Sequence, residues 1–183
     1  MQRAQDLSAD RLPHGVSVRP LASHPDIRGR LTEIFRREWQ SGVDPIQWNL
    51  LHSHAGVLRG MNVHLKHDDY YVLASGRLTL GLYDLRRSSP TYGMSATMAL
   101  SSDALCTVVV PIGVLHGTLY HADSVMLTGR SAYFDPADDL GCVWSDPALR
   151  LAWPPADPIL LPRDAERPSL AGLEAELAAL GFR

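Results

Sequence analysis

The sequence predicts an all-β chain closed into a sandwich or barrel, and three observations carry that expectation. Short alternating or wholly apolar runs recur from near residue 16 to about residue 129, turn residues separate them, and no helix-period segment intervenes. Residues 16–18 and 31–36 open the series, followed by 46–51, 57–64, 70–74 and 78–84. The runs at 95–100, 106–111, 117–120 and 124–128 complete it. In the sixth run Leu78, Leu80 and Leu82 alternate with Arg77, Thr79, Gly81 and Tyr83, the pattern of a strand with one face on a core and the other in solvent. Ser75-Gly76, Ser89-Pro90 and Ile112-Gly113 are the turn signals between runs.

The C-terminal end changes character. Pro147, Pro154, Pro155, Pro158, Pro162 and Pro168 predict an extended strap with little regular structure. Ser169 then caps a short helix whose Leu170, Leu173, Leu177 and Leu180 line one face. No repeat or low-complexity linker divides the chain, so residues 1–183 are expected to form one domain, with a barrel core at about 12–135 and the strap and helix at about 136–183.

With 183 residues and 45% hydrophobic content, the chain can build a full core. Seventeen basic and 20 acidic residues give a net charge of −3 without a basic run, which argues against a nucleic-acid partner. No apolar stretch approaches the roughly 20 residues of a membrane span. The N-terminus MQRAQDLSAD has no apolar signal core, so a cytoplasmic, membrane-free location is expected. Cys106 and Cys142 fit neither a disulfide framework nor a zinc pattern and are expected as free thiols.

The chemistry concentrates in GVLRGMNVHLKHDDYYVLASG (56–76) and PIGVLH (111–116). The first has the spacing Gly-x5-Asn-x-His-x4-Asp-x6-Gly through Gly56, Asn62, His64, Asp69 and Gly76; the second is P-x-G-x-x-H ending at His116. These are the spacings of a cupin barrel's two metal motifs. Asn62 and His64 fall on one face of a strand. If that face is interior, His64, Asp69 and His116 converge, a donor set suited to a divalent transition metal, with Asn62 as a weak fourth ligand or a spacer bonded to Asp164. The bland alternative is a hydrogen-bonded polar cluster. His67 and Asp68 read as a solvent-facing turn, His52 and His54 as surface residues, and Trp144 and Trp153 as structural.

Longer blocks extend the match. D-I-R-G (26–29), Q-W-N (47–49), G-V-L-R-G (56–60), D-L-R-R-S-S-P-T-Y-G (84–93), P-I-G-V-L-H-G (111–117), Y-F-D-P (133–136), W-S-D-P-A-L-R-L-A-W-P (144–154) and R-D (163–164) occur in order. Through them the chain resembles the dTDP-4-dehydrorhamnose 3,5-epimerase family over nearly its whole length. The resemblance implies a cupin jelly-roll barrel, a homodimer exchanging N-terminal strands, no organic cofactor, and an isomerase acting on a nucleotide-linked 4-keto-6-deoxy sugar. It also implies site residues. Arg59 would bind diphosphate through its paired donors, Arg28 and Glu33 would meet the base from the partner subunit, and Gln47, Asn49 and His116 keep family positions. Tyr133 and Phe134 stack on base or sugar, or pack in the core.

The resemblance breaks at the proton-transfer residues. The family's base, a histidine, is Asn62 here, and an amide does not accept a proton at neutral pH. The family's tyrosine acid falls on Thr128, while the aspartate that orients the base persists as Asp164. A family glutamine has become His64, and a family lysine falls at Asp69. Three functions stay open: a divergent epimerase or isomerase, metal-assisted or using His64 or His116 as the proton acceptor at one centre; a metal-dependent cupin (iron, manganese, nickel or zinc) on a non-sugar natural-product intermediate; and a non-catalytic nucleotide-sugar-binding barrel.

Overall fold

The computed structural model describes residues 12–182. Twelve strands are placed there: β1 (Ser17–Pro20), β2 (Ser23–Asp26), β3 (Gly29–Thr32), β4 (Gln47–Ser53), β5 (Leu58–Val63), β6 (Asp69–Ser75), β7 (Arg77–Asp84), β8 (Ser95–Ser101), β9 (Cys106–Val110), β10 (Val114–Tyr120), β11 (Ser124–Arg130) and β12 (Leu140–Gly141). Helices α1 (Pro162–Ala165) and α2 (Leu170–Ala179) follow. Two five-stranded sheets, β1-β9-β6-β11-β4 and β12-β5-β10-β7-β8, form the jelly roll, and β2 and β3 make a separate hairpin.

Strand parity divides the apolar residues into three cores. Tyr71, Leu73, Leu78, Leu80, Leu82, Met98, Val108, Val110 and Met126 fill the space between the sheets. Tyr70, Val72 and Val109, one step out of phase, face outward and pack with Val43 under Phe35 and Ile34. Met61, Val63, Tyr83 and Leu115 form the third core with Cys142, Leu149 and the α2 leucines.

That third core corrects the reading of β7. The strand is buried on both faces apart from Arg77, because the proline-rich strap lies across its outer side. Trp153 sits so close to Gly81 that a Cβ there would stand 2.5 Å from the indole ring. Trp144 and Trp153 meet edge-to-face with ring centroids 6.3 Å apart, as structural residues should.

Ser169 caps α2 by accepting a hydrogen bond from the Gly172 N–H at 3.2 Å. Leu170, Leu173 and Leu177 are buried, but Leu180 is 61% exposed, and Phe182 packs against the third core in its place. The strap is mostly irregular, as its prolines dictate, yet it supplies β12 and the single turn α1. The hairpin strand β2 has no counterpart in the sequence reading; its SHPD carries a proline and no apolar alternation, and all four residues are exposed. Of the run expected at 31–36 only Leu31 and Thr32 pair, as the end of β3. Both cysteines are free, and no helix among the described residues is long and apolar enough to cross a membrane.

Candidate active site

The same parity that fills the core aims polar side chains into one end of it. Met61 and Val63 of β5 belong to the outer core, so Asn62, and His64 just beyond the strand, face inward. Asp69 precedes the inward-facing Tyr71 by two residues, His116 follows Val114 by two, and Thr128 follows Met126 by two. Opposite His116–Thr118 of β10, β5 carries one extra residue between Arg59 and Asn62, a bulge that bends β5. The strands close up there: a Cβ on Gly60 (φ +109°) would lie 2.7 Å from the His116 carbonyl oxygen. These elements surround a cavity of about 410 Å³ lined by Asn49, Arg59, Asn62, His64, Asp69, Tyr71, His116, Thr128, Arg130 and Asp164. The strap completes its wall. Ile159 bridges Val57 in parallel, and Ile159, Leu161 and Arg163 line the same space.

At the buried end two imidazoles face one carboxylate. Asp69 Oδ2 lies 3.7 Å from His64 Nε2 and 3.5 Å from His116 Nε2. Each ring's other nitrogen meets a main-chain oxygen, His64 Nδ1 that of Asp138 at 3.0 Å and His116 Nδ1 that of Val114 at 3.0 Å. A carbonyl oxygen only accepts, so both rings carry their proton on Nδ1 and turn an Nε2 lone pair toward Asp69. The His116 lone pair accepts from the Tyr71 hydroxyl at 2.9 Å. Burial pushes the Asp69 carboxyl up to about 6, against the pull of His64 and Arg130. Burial also lowers His64 below its ordinary value and His116 to about 4, and raises Tyr71 well above the phenol range.

The spacing also suits a metal ion. Nitrogen–oxygen separations of 3.5 and 3.7 Å are too long for hydrogen bonds. Two donors each about 2.1 Å from a shared tetrahedral ion stand roughly 3.4 Å apart. The ligand atoms of His64, Asp69 and His116 all lie within 4.8 Å of one another, and rings pinned through Nδ1 to carbonyls are prepared as ligands are. The donor set fits a divalent transition metal, provided the Tyr71 hydroxyl leaves His116 Nε2.

Several expectations are corrected here. His67 is not in a solvent-facing turn: it is 2% exposed, stacks on His64 with centroids 4.1 Å apart, and holds Nδ1 3.3 Å from Asp138 Oδ2. Asp138 reaches in from the strap and accepts from the Leu65 and Lys66 N–H groups, which folds the His64–His67 turn inward. Asp68 is half-buried and accepts from the Ile112 N–H at 2.9 Å. Asn62 is bonded to Arg167, not Asp164; its side-chain oxygen accepts from that guanidinium at 2.8 Å, so it is engaged away from the three-residue cluster. Tyr133 and Phe134 are exposed, which excludes core packing, and neither lines the cavity.

Of the other expected residues, Arg28, Glu33 and Gln47 lie outside the cavity lining, whereas Arg59 belongs to it. Arg28 pairs with Asp26 at the tip of the β2–β3 hairpin, and Glu33 is exposed beside Arg36. Gln47 lies outside the cavity lining but donates to Asn49 at 3.2 Å and accepts from the Phe134 N–H. Arg59 donates to Ser53 Oγ at 2.9 Å and to the His52 carbonyl. His52 and His54 are exposed, as expected of surface residues. Tyr71, Arg130 and Arg167 were not singled out by sequence reasoning; Tyr71 and Arg130 follow Asp69 and Thr128 by two residues, a signal that was available.

Comparison with known proteins agrees with this fold. A family model described as dTDP-4-dehydrorhamnose 3,5-epimerase matches residues 12–172. The probable low-salt glycan biosynthesis epimerase Agl13 of Haloferax volcanii is 35% identical over 133 residues, covering 69% of this chain and 85% of the relative. The dTDP-4-dehydrorhamnose 3,5-epimerase of Sinorhizobium fredii is 32% identical, covering 81% of each chain. Among solved structures, ChmJ, a 3'-monoepimerase from Streptomyces bikiniensis in complex with dTDP-quinovose, superimposes with a TM-score of 0.82 at 26% identity, covering 93% of this chain and 89% of the other.

Proposed function

Because the chain belongs to the dTDP-4-dehydrorhamnose 3,5-epimerase family, we propose that it acts on a nucleotide-linked 4-keto-6-deoxy sugar and moves a proton at a single carbon beside the ketone. The observation that carries this reading is the relocation of both proton-transfer groups by one step. The base position holds Asn62, but His64 follows it on the same inward face with its Nε2 lone pair toward the cavity floor. The acid position holds Thr128, but Tyr71 is its direct partner across the β6–β11 ladder and lines the same cavity. His64 is kept neutral by burial and takes the proton. Tyr71 keeps its own proton far above neutral pH and returns one to carbon. A base and an acid facing one cavity are the pair that inversion of a carbon beside a ketone requires, and single-centre inversion is the outcome that the name 3'-monoepimerase records for ChmJ.

Arg59 lines the cavity with a guanidinium suited to the diphosphate. A homodimer is part of the reading. Strand β4 is a sheet edge that exposes Trp48 and Leu50, and Ile27 and Leu31 project from the hairpin.

Deuterium wash-in at the carbons flanking the ketone, followed by proton NMR on a dTDP-4-keto-6-deoxy sugar in heavy water, tests the function. Exchange at one carbon is expected. No exchange, with dTDP still bound, leaves a binding barrel.

The donor spacing of His64, Asp69 and His116 favours a second reading in which the three side chains hold a divalent metal. When bound, such an ion supplies Lewis-acid polarisation of a carbonyl. His64 then serves as ligand rather than base. Elemental analysis of untagged protein purified without chelators separates the two readings.

A further inference from the structure

Asn62 occupies the position of the family's base, and its surroundings give it a different task. Its side-chain oxygen accepts a 2.8 Å hydrogen bond from Arg167. A guanidinium has five N–H donors and no acceptor, so only the oxygen of the amide can face it. The alternative flip would set two donors against each other in a partly buried site. Arg167 is itself held fast: its side chain is 10% exposed, and it donates to Asp139 Oδ1 at 3.1 Å and to the Asp139 carbonyl at 3.1 Å. The Asn62 NH₂ group is therefore turned away from Arg167. Among the described residues no acceptor meets it, and Asn62 lines the cavity.

We infer that Asn62 presents this N–H to the ketone oxygen of the sugar, and that Arg167 is the positioning residue that sets its direction. The inference rests on the sugar reading above. Asn62 and His64 are two residues apart on one extended face, about 6–7 Å, a span that matches a carbon acid and its adjoining carbonyl once both side chains reach inward. As the C–H bond breaks, the proton passes to His64 Nε2 and its electron pair forms the enolate double bond. The carbonyl π pair moves onto oxygen, where the Asn62 N–H meets the developing charge. The pair returns when carbon is reprotonated. The residue that cannot accept a proton thus becomes the donor that stabilises the anion.

The test is Asn62→Asp. This near-isosteric change keeps an acceptor for Arg167, and so the fold, but removes the donor. Isothermal calorimetry compares dTDP with a dTDP-4-keto sugar on wild-type protein and on the variant, and deuterium wash-in supplies a rate. The wild-type protein is expected to bind the keto sugar more tightly than dTDP. The variant should lose that increment, bind dTDP unchanged, and exchange at least roughly a hundredfold more slowly. Arg167→Lys, which keeps a donor but not the fixed fork, should fall between the two in rate with dTDP affinity preserved. An increment and exchange rate retained in Asn62→Asp would overturn the inference. Failure of the wild-type protein to bind the keto sugar at all would overturn the sugar reading, and this inference with it.

Discussion

Tyr71 and Thr128 stand directly opposite one another on neighbouring antiparallel strands, β6 and β11, with both side chains on the inner face. A phenol is thus missing from one strand and present at the same level on the next. Cross-strand partners have Cβ atoms about 5 Å apart, so one cavity receives a tyrosine from either strand.

Tyr71→Phe is expected to uncouple abstraction from inversion. Solvent deuterium should still enter at the reacting carbon while formation of the inverted sugar falls by roughly a hundredfold. NMR that resolves exchange from epimer ratio checks this; unchanged inversion would remove Tyr71 from its assigned part.

His64→Gln should lower the exchange rate itself by roughly 10²- to 10⁴-fold, with dTDP affinity unaltered because Arg59 is untouched. The same variant should leave the metal content unchanged if the acid–base reading holds, and reduce it if the imidazole is a ligand. Elemental analysis and rate are measured on one preparation.

Asp84 organises the β7–β8 connection. Its buried carboxylate accepts from Arg86 at 2.8 and 2.7 Å, Ser89 at 2.6 Å and Thr91 at 2.6 Å. Burial alone would raise its pKa, but the bonds from Arg86, Ser89 and Thr91 together hold it below the usual carboxylate value. A lowered pKa contributes stability above the unfolded value of 3.8, and that stability is lost as pH falls through the folded value. Asp84→Asn should cost about 2–3 kcal/mol near neutral pH, and the gap to the wild-type protein should narrow below pH 3.8. Urea melts at several pH values measure it.

Gly81→Ala should destabilise the fold by about 1–3 kcal/mol. The new methyl would meet the Trp153 ring at 2.5 Å and force the strap off β7. Thermal melts, with tryptophan fluorescence reporting the displaced indole, check the effect.

Leu50→Glu places a charge on the exposed edge strand. It should raise the dimer dissociation constant by roughly a hundredfold or more while leaving the monomer folded. Sedimentation velocity reads the change; an unaltered dimer would move the interface elsewhere.

Most barrel strands were legible because alternation and turn residues agree, as in Leu78, Leu80 and Leu82 bounded by Gly76 and Asp84. Parity also sufficed to bring His64, Asp69 and His116 together, since Asp69 and His116 lie two residues from the interior Tyr71 and Val114, and His64 lies an odd number from the outer-core Met61 and Val63. What parity could not supply was the contribution of the strap. L-K-H-D-D reads as a polar turn until Asp138 folds over it and buries His67. The partner of Asn62 is equally invisible, because Arg167 lies in irregular chain whose direction no periodicity dictates. The outer face of β7 looked wet for the same reason. Its cover is tryptophan and leucine from a segment without pattern.

The strap's backbone is stitched beside β5, where Ile159 donates to the Gly56 carbonyl and receives the Leu58 N–H at 2.9 and 3.0 Å. During synthesis the jelly-roll strands emerge first, and the nascent polypeptide holds imidazoles and carboxylate in an unroofed trough. Only when residues 156–168 leave the ribosome and dock do Asp164 and Arg167 arrive to finish the chamber. The chamber is therefore finished only once the strap has docked, and a protease nick in the exposed Pro155–Asp157 stretch would cut that strap's tether without touching a strand of either sheet.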